Sequence, residues 1–205
     1  MADDAKVYIV DDDADMRNSI KWLLESVHLP VCVYESAEQF LTAFDEHRPG
    51  CLLLDVRMPG MSGMRLLEFM QSSHPQLPVV MFTGYGDVEM AVRALKVGAF
   101  DFIEKTADHP LILERVQHAL LAGKAMHERE IEKLRCKKLL DHLTPREHEV
   151  LLRMIQGQSN KFIAGELGLS ERTVEKHRKN VMDKTKTRSV AELVRLFYQK
   201  GGDGA

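Results

Sequence analysis

Five short apolar runs punctuate the first 105 residues, and each is followed by a stretch with helical spacing: KVYIV then MRNSIKWLLESV, VCVY then AEQFLTAFDEH, CLLLD then MRLLEFMQSS, PVVMFTG then VEMAVRALKVG, and AFDFIEK then LILERVQHALLAG. A chain that alternates in this way must return each strand beside an earlier one through a helical crossover. The result is a parallel sheet with helices on both faces. The pattern therefore predicts a doubly wound α/β domain with a five-stranded parallel sheet over residues 1–120, followed by an all-helical remainder.

Strands covered on both faces read as continuous apolar runs, so the charge closing LLLDVRMPGMSG at Asp55 needs a reason. In open α/β sheets ligands bind just beyond the carboxyl ends of the strands, which is where Asp55 falls. The first strand ends the same way, in KVYIVDDD, and brings Asp11 and Asp12 to the same edge. Two like charges ~4 Å apart repel by about 4 kcal/mol even at an effective dielectric of 20, so three carboxylates in one pocket require a cation. Hard oxygen ligands suit Mg²⁺, which takes one or two carboxylates and bridges to phosphate oxygens. A carboxylate can also act as a nucleophile toward phosphorus, provided that fixed cations offset the charge on the transferring group. Thr83 and Lys105 close the fourth and fifth strands and reach the same edge. A lone Asp after a strand is ordinarily a cap or turn former, and Asp13 and Asp15 read that way.

The set Asp11–Asp12, Asp55 followed by MPGMSG, Thr83 and Lys105 resembles the receiver domain of bacterial two-component response regulators. The resemblance implies that Asp55 accepts a phosphoryl group from a sensor histidine kinase. It further implies that Asp11, Asp12, Asp55 and the backbone carbonyl of Arg57 hold Mg²⁺, and that Thr83 and Lys105 bind the phosphoryl oxygens. Phe102 matches the aromatic switch position of the fifth strand. One position departs from the family: Thr106 stands where receivers usually have a proline, often after a cis peptide. A cis bond before a non-proline residue costs ~2.5 to 4 kcal/mol, so the lysine must reach the pocket by another backbone route.

Charge divides the chain. Residues 1–120 hold 10 Lys and Arg against 19 Asp and Glu, whereas residues 141–205 hold 12 against 9. An acidic front and a basic rear suggest that the rear half meets a polyanion. Between them, residues 121–141 are charged, rich in helix formers and free of proline, and read as a helical linker. Its apolar residues Met126, Ile131, Leu134 and Leu139 fit no heptad well, which favours a solvated spacer over a dimeric coiled coil. Residues 142–205 then offer four helical segments starting at Thr144, Ser159, Ser170 and Ser189, with Pro145 at a first helical position.

Within that rear domain, NKFIAGELGLSERTVEKHRKNVM reads as helix, Gly-containing turn, helix. Steps of 100° place Val174, His177 and Val181 on one face of the second helix and Arg172, Lys176, Lys179 and Asp183 on the other, flanked by Thr173, Glu175 and Asn180. His177 has no second ligand at useful spacing and reads as a packing residue. A cationic outer face suits the major groove. The segment resembles the LuxR-type four-helix DNA-binding domain, and the whole chain is similar to the FixJ and NarL group of response regulators. The resemblance implies that Arg172, Thr173, Glu175, Lys176 and Lys179 approach bases or adjacent phosphates of double-stranded operator DNA, and that Lys161, Lys184 and Arg188 neutralise the backbone. It also implies a homodimer when phosphorylated and RNA polymerase as a partner. Val190, Leu193, Val194 and Phe197 form the apolar stripe of the last helix, available to the core or to a second copy.

Two other readings compete. Haloacid dehalogenase-type phosphatases share an aspartyl nucleophile and Mg²⁺, but carry a second acid two residues on, where this chain has Arg57. A receiver that no longer needs phosphorylation would serve as a protein-interaction module, which only Thr106 supports. The expectation is a transcriptional regulator rather than an enzyme. Cys32, Cys51 and Cys136 are widely spaced and read as reduced thiols. No apolar run approaches the ~20 residues needed to cross a membrane, so a cytoplasmic bacterial protein is expected.

Overall fold

A computed structural model describes residues 5–84 and 88–199. Two compact units divide at Glu128 and Arg129. The first holds strands β1 (Lys6–Val10), β2 (Val31–Tyr34), β3 (Gly50–Leu54), β4 (Val79–Thr83) and β5 (Asp101–Glu104), alternating with helices α1 (Ala14–Ser26), α2 (Ala37–Ala43), α3 (Gly63–Ser73), α4 (Val88–Val97) and the part of α5 (His109–Asp141) up to Glu128. All strand pairs are parallel, in the order β2-β1-β3-β4-β5. This is the doubly wound arrangement expected from the alternating runs, and its switch point lies between β1 and β3.

The period-2 alternation of a strand sorts the core into two layers. Tyr8, Val10, Leu52, Leu54 and Met81 face Phe40 of α2, Leu66, Leu67 and Met70 of α3 and Ala94 of α4. Val7, Ile9, Leu53, Val80 and Phe82 face Ile20 and Leu24 of α1 and Ile112 and Val116 of α5. Register fixes the chemistry at the edge. Val10 lies opposite Leu54, so the next residue of each strand, Asp11 and Asp55, leaves the sheet side by side.

Helix α2 is shorter than its sequence pattern, ending at Ala43 rather than running through AEQFLTAFDEH. Phe44 turns extended there and its ring packs edge-on to Tyr8 and His74. The Asp45 carboxylate then accepts from the His47 amide and closes a turn. Helix α5 runs unbroken for 33 residues. Gly123 permits its close approach to the sheet, since a Cβ there would lie 1.9 Å from the Gly50 carbonyl oxygen.

The second unit holds α6 (Pro145–Ile155), α7 (Asn160–Leu167), α8 (Glu171–Thr185) and α9 (Val190–Gln199). Thr144, Ser159 and Ser170 cap α6, α7 and α8 as their positions predict, Thr144 in a reciprocal capping box with Glu147. Val150, Leu151, Met154, Ile163, Val174, Val181, Leu193 and Leu196 form the core, joined by Cys136 and Leu140 from the end of α5. The stretch read as a solvated spacer is thus helical throughout, and its last turns are built into the second unit. Ile131 and Leu134 are exposed.

Candidate functional site

At the carboxyl edge of the first unit, the Asp55 amide donates to the Val10 carbonyl at 2.9 Å and the Asp11 amide to the Tyr34 carbonyl at 3.2 Å. Both residues are therefore anchored by the sheet itself. One carboxylate oxygen from each of Asp11, Asp12 and Asp55 lies within 4.8 Å of the others. Asp11 and Asp55 are 1% and 6% exposed, whereas Asp12 opens to solvent. Asp13 caps α1 by accepting from the Asp15 and Met16 amides, as a turn-forming Asp should.

Lys105 enters from β5. Its amide donates to the Thr83 carbonyl at 2.8 Å, which brings the ends of β4 and β5 together. Its Nζ sits 2.7 Å from Asp55 Oδ2 and 2.6 Å from Asp11 Oδ2. Every described peptide bond is trans, including Lys105–Thr106, so the lysine reaches both carboxylates without the cis bond usual before proline. Burial lowers the proton affinity of this ammonium, but hydrogen bonds and charge from Asp11 and Asp55 more than offset it, and its pKa rises. Burial pushes the Asp11 carboxyl up, against Lys105 and the Asp13 amide. Three clustered carboxylates, two of them sharing one ammonium, match the donor set of a hard divalent cation such as Mg²⁺.

Thr83, the last residue of β4, is buried at this edge. Phe102 is half-buried against the layer that holds Met81 and Ala94. It also lines a cavity of about 250 Å³ with Ile103, Thr106, Leu111 and Arg115. The turn after β3 carries Arg57, whose amide donates to Asp55 Oδ1 at 3.3 Å. That turn closes where the Gly63 amide donates to the Val56 carbonyl at 3.0 Å. Sequence reasoning missed two neighbours of the pocket. Arg17 Nη1 donates to the Asp11 carbonyl at 2.6 Å, and Glu38 Oε1 accepts from the Met61 amide at 3.0 Å. Neither carries a motif, because each acts on backbone.

In the second unit, α7 and α8 form the expected helix-turn-helix, joined through left-handed Gly168. Arg172, Glu175, Lys176 and Lys179 are exposed on α8, and Val174 and Val181 are buried opposite. Thr173 is half-buried and its hydroxyl is hydrogen-bonded to that of Ser170. Lys161 and Arg188 are exposed. His177 packs inward, its Nδ1 buried without a hydrogen-bond partner. Lys184, grouped by sequence with the backbone-neutralising cations, has a partner in its own unit: its Nζ lies 2.6 Å from Glu147 Oε2. Glu147 is 3% exposed. Burial opposes its charge, but Lys184 and the Thr144 amide and hydroxyl prevail and hold the carboxyl at about 2.

Comparison with known proteins covers both units. Residues 7–117 match the response regulator receiver domain family, and residues 141–197 the family of bacterial regulatory proteins, luxR family. The chain is 38% identical over 195 residues to the transcriptional regulatory protein FixJ of Bradyrhizobium diazoefficiens, covering 95% of each chain. It is 41% identical over 201 residues to FixJ of Rhizobium meliloti, covering 97% of each. Among solved structures, the response regulator StyR superposes with a TM-score of 0.85 at 38% identity, over 96% of this chain and 99% of that one. Full-length FixJ from B. japonicum gives 0.55 at 36% identity over 98% of each.

Proposed function

We propose a phosphoryl switch at Asp55 for this chain, which belongs to the two-component response regulators of the FixJ and NarL group and is a phosphorylation-dependent transcriptional regulator. The reading rests on one observation: a buried Asp55 held 2.7 Å from Lys105, with Asp11 and Asp12 close enough to share a cation. A carboxylate oxygen of Asp55 attacks the phosphorus of a phosphohistidine on the sensor kinase. The P–O bond forms as the P–N bond breaks, and the imidazole leaves with its electron pair. Lys105 neutralises charge on the equatorial oxygens, and the Thr83 hydroxyl donates to one of them. Asp11, Asp12, Asp55 and the Arg57 carbonyl would hold Mg²⁺, which when bound supplies charge stabilisation for the transferring group.

Phosphorylation adds roughly −1.5 to −2 charge at Asp55. Thr83 shifts toward it, Phe102 turns inward, and two receivers pair. Pairing brings two copies of α8 to adjacent half-sites on operator DNA, with Arg172, Thr173, Glu175, Lys176 and Lys179 at the groove and Lys161 and Arg188 on phosphates. Lys184 reaches phosphate only by sharing its ammonium with Glu147. The bound dimer engages RNA polymerase, and the protein works in the bacterial cytoplasm, where kinase and DNA meet it. In domain terms, residues 1–120 act as receiver, 121–141 as linker and 142–205 as output. Incubation with acetyl phosphate and Mg²⁺ should add the mass of one phosphoryl group to the wild type and none to Asp55→Asn. Equal labelling of both proteins would move the acceptor elsewhere.

A further inference from the structure

The turn between β3 and α3 carries the Arg57 carbonyl, and one of its ties comes from outside the pocket. Glu38, in the first turn of α2, reaches across 23 positions of sequence to accept the Met61 amide at 3.0 Å. The helix that carries it is held at its start by Ser36, whose hydroxyl accepts from the Gln39 amide and caps α2. The turn is shaped to meet Glu38. Gly60 adopts φ +75°, and a Cβ there would lie 2.9 Å from Glu38 Oε1. At its far end the turn is closed equally tightly, since a Cβ on Gly63 would lie 1.9 Å from the Asp55 carbonyl oxygen. Arg57, whose own amide is held by Asp55 Oδ1, therefore lies in a short span tied by the Asp55–Gly63 approach and by Glu38.

We propose that Glu38 is a positioning residue of the acidic pocket: by holding the Met61 amide it fixes the turn so that the Arg57 carbonyl is presented to a divalent cation beside Asp11, Asp12 and Asp55. The proposal rests on the phosphoryl-switch reading above and adds a residue that never touches the cation. Residues that orient ligands without binding the metal commonly tune its affinity. Here the effect is limited to what one hydrogen bond of ordinary net strength contributes, about three- to tenfold.

Calorimetric titration of the full chain with Mg²⁺ tests it directly. Glu38→Ala should bind Mg²⁺ about three- to tenfold more weakly than wild type, with only a small fall in the metal-free thermal midpoint, because the lost contact is a single exposed hydrogen bond. Glu38→Gln keeps an accepting oxygen and should restore wild-type affinity. Labelling of Glu38→Ala by acetyl phosphate should be slow at low Mg²⁺ and recover at saturating Mg²⁺. Unchanged Mg²⁺ affinity in Glu38→Ala overturns the proposal, and so does a Glu38→Gln variant as weak as Glu38→Ala, which would make bulk charge the cause. A wild type that binds no Mg²⁺ overturns the pocket reading itself, and this proposal with it.

Discussion

Lys105 sets one ammonium, 12% exposed, against two carboxylates that would otherwise repel each other in a dry pocket. Removing one partner of such a cluster strands the others. Lys105→Met should therefore lower the thermal midpoint of the receiver in EDTA, and millimolar Mg²⁺ should restore most of the loss, since a ligand that binds only the folded state stabilises it by mass action. A midpoint indifferent to both the mutation and Mg²⁺ would mean that the pocket carries no electrostatic strain. The Asp trio was legible in the sequence because each acid interrupts or ends an apolar run that otherwise has no reason to charge itself. The ion pair of Lys184 was not legible there, for the opposite reason. Its partner lies 37 positions away, and periodicity on α8 alone cannot show a contact with α6. The signal available was Thr144-Pro-Arg-Glu147, a capping box whose acid sits on the buried side of its helix with Val150, Leu151 and Met154. A buried acid needs a cation. The Glu147 carboxyl is held at about 2, below its ordinary value, so it contributes stability that is complete above the unfolded value near 4.3 and is lost as pH falls toward 2. Acid titration of the second unit should thus show destabilisation beginning below about pH 4.5 in wild type. In Lys184→Ala that step should shrink and neutral-pH stability should fall by about 1–3 kcal/mol. Superimposable acid curves for the two proteins would contradict the pairing.

At the level of elements, the alternating runs specified strand number and direction because parallel crossovers leave few topologies, while the order β2-β1-β3-β4-β5 came from the structure. Helix starts were equally readable where Thr or Ser precedes the first turn. Ends were not: α2 stops at Ala43 because Phe44 is claimed by an aromatic cluster, a tertiary demand that spacing does not carry. Nor did composition show that Cys136 and Leu140 belong to the core of the second unit, because two apolar residues among many charges also fit a solvated helix. The exposed face of α8 yields a prediction that separates kinds of contact. Lys176→Ala should weaken binding to operator DNA more than to unrelated DNA. Lys161→Ala should weaken both alike and flatten the salt dependence by about one unit of log–log slope. If Lys184 serves Glu147 before phosphate, Lys184→Ala should lower affinity while leaving that slope near wild type. Salt titrations of binding on the three variants decide among these roles, and a slope change in Lys184→Ala equal to that in Lys161→Ala would return Lys184 to the phosphate contacts.

For the molecule as a whole, an acidic unit that takes a phosphoryl group and a basic unit that takes DNA must be coupled for either to matter. Linked modules gain ~10² to 10⁴ in avidity when two half-sites are engaged at once, without any new contact. Pairing of phosphorylated receivers is the least demanding coupling, because it asks only that a second output unit be kept near the first. Half-sites one helical turn apart, ~10 base pairs, follow from two-fold symmetry. The decisive measurement is operator binding by gel shift together with light scattering, on wild type and Asp55→Asn, with and without acetyl phosphate and Mg²⁺. The account predicts that wild type becomes dimeric and binds ~10²-fold or more tightly when phosphorylated, while Asp55→Asn stays monomeric and weak. An Asp55→Asn protein that dimerises and binds as tightly as phosphorylated wild type would contradict it.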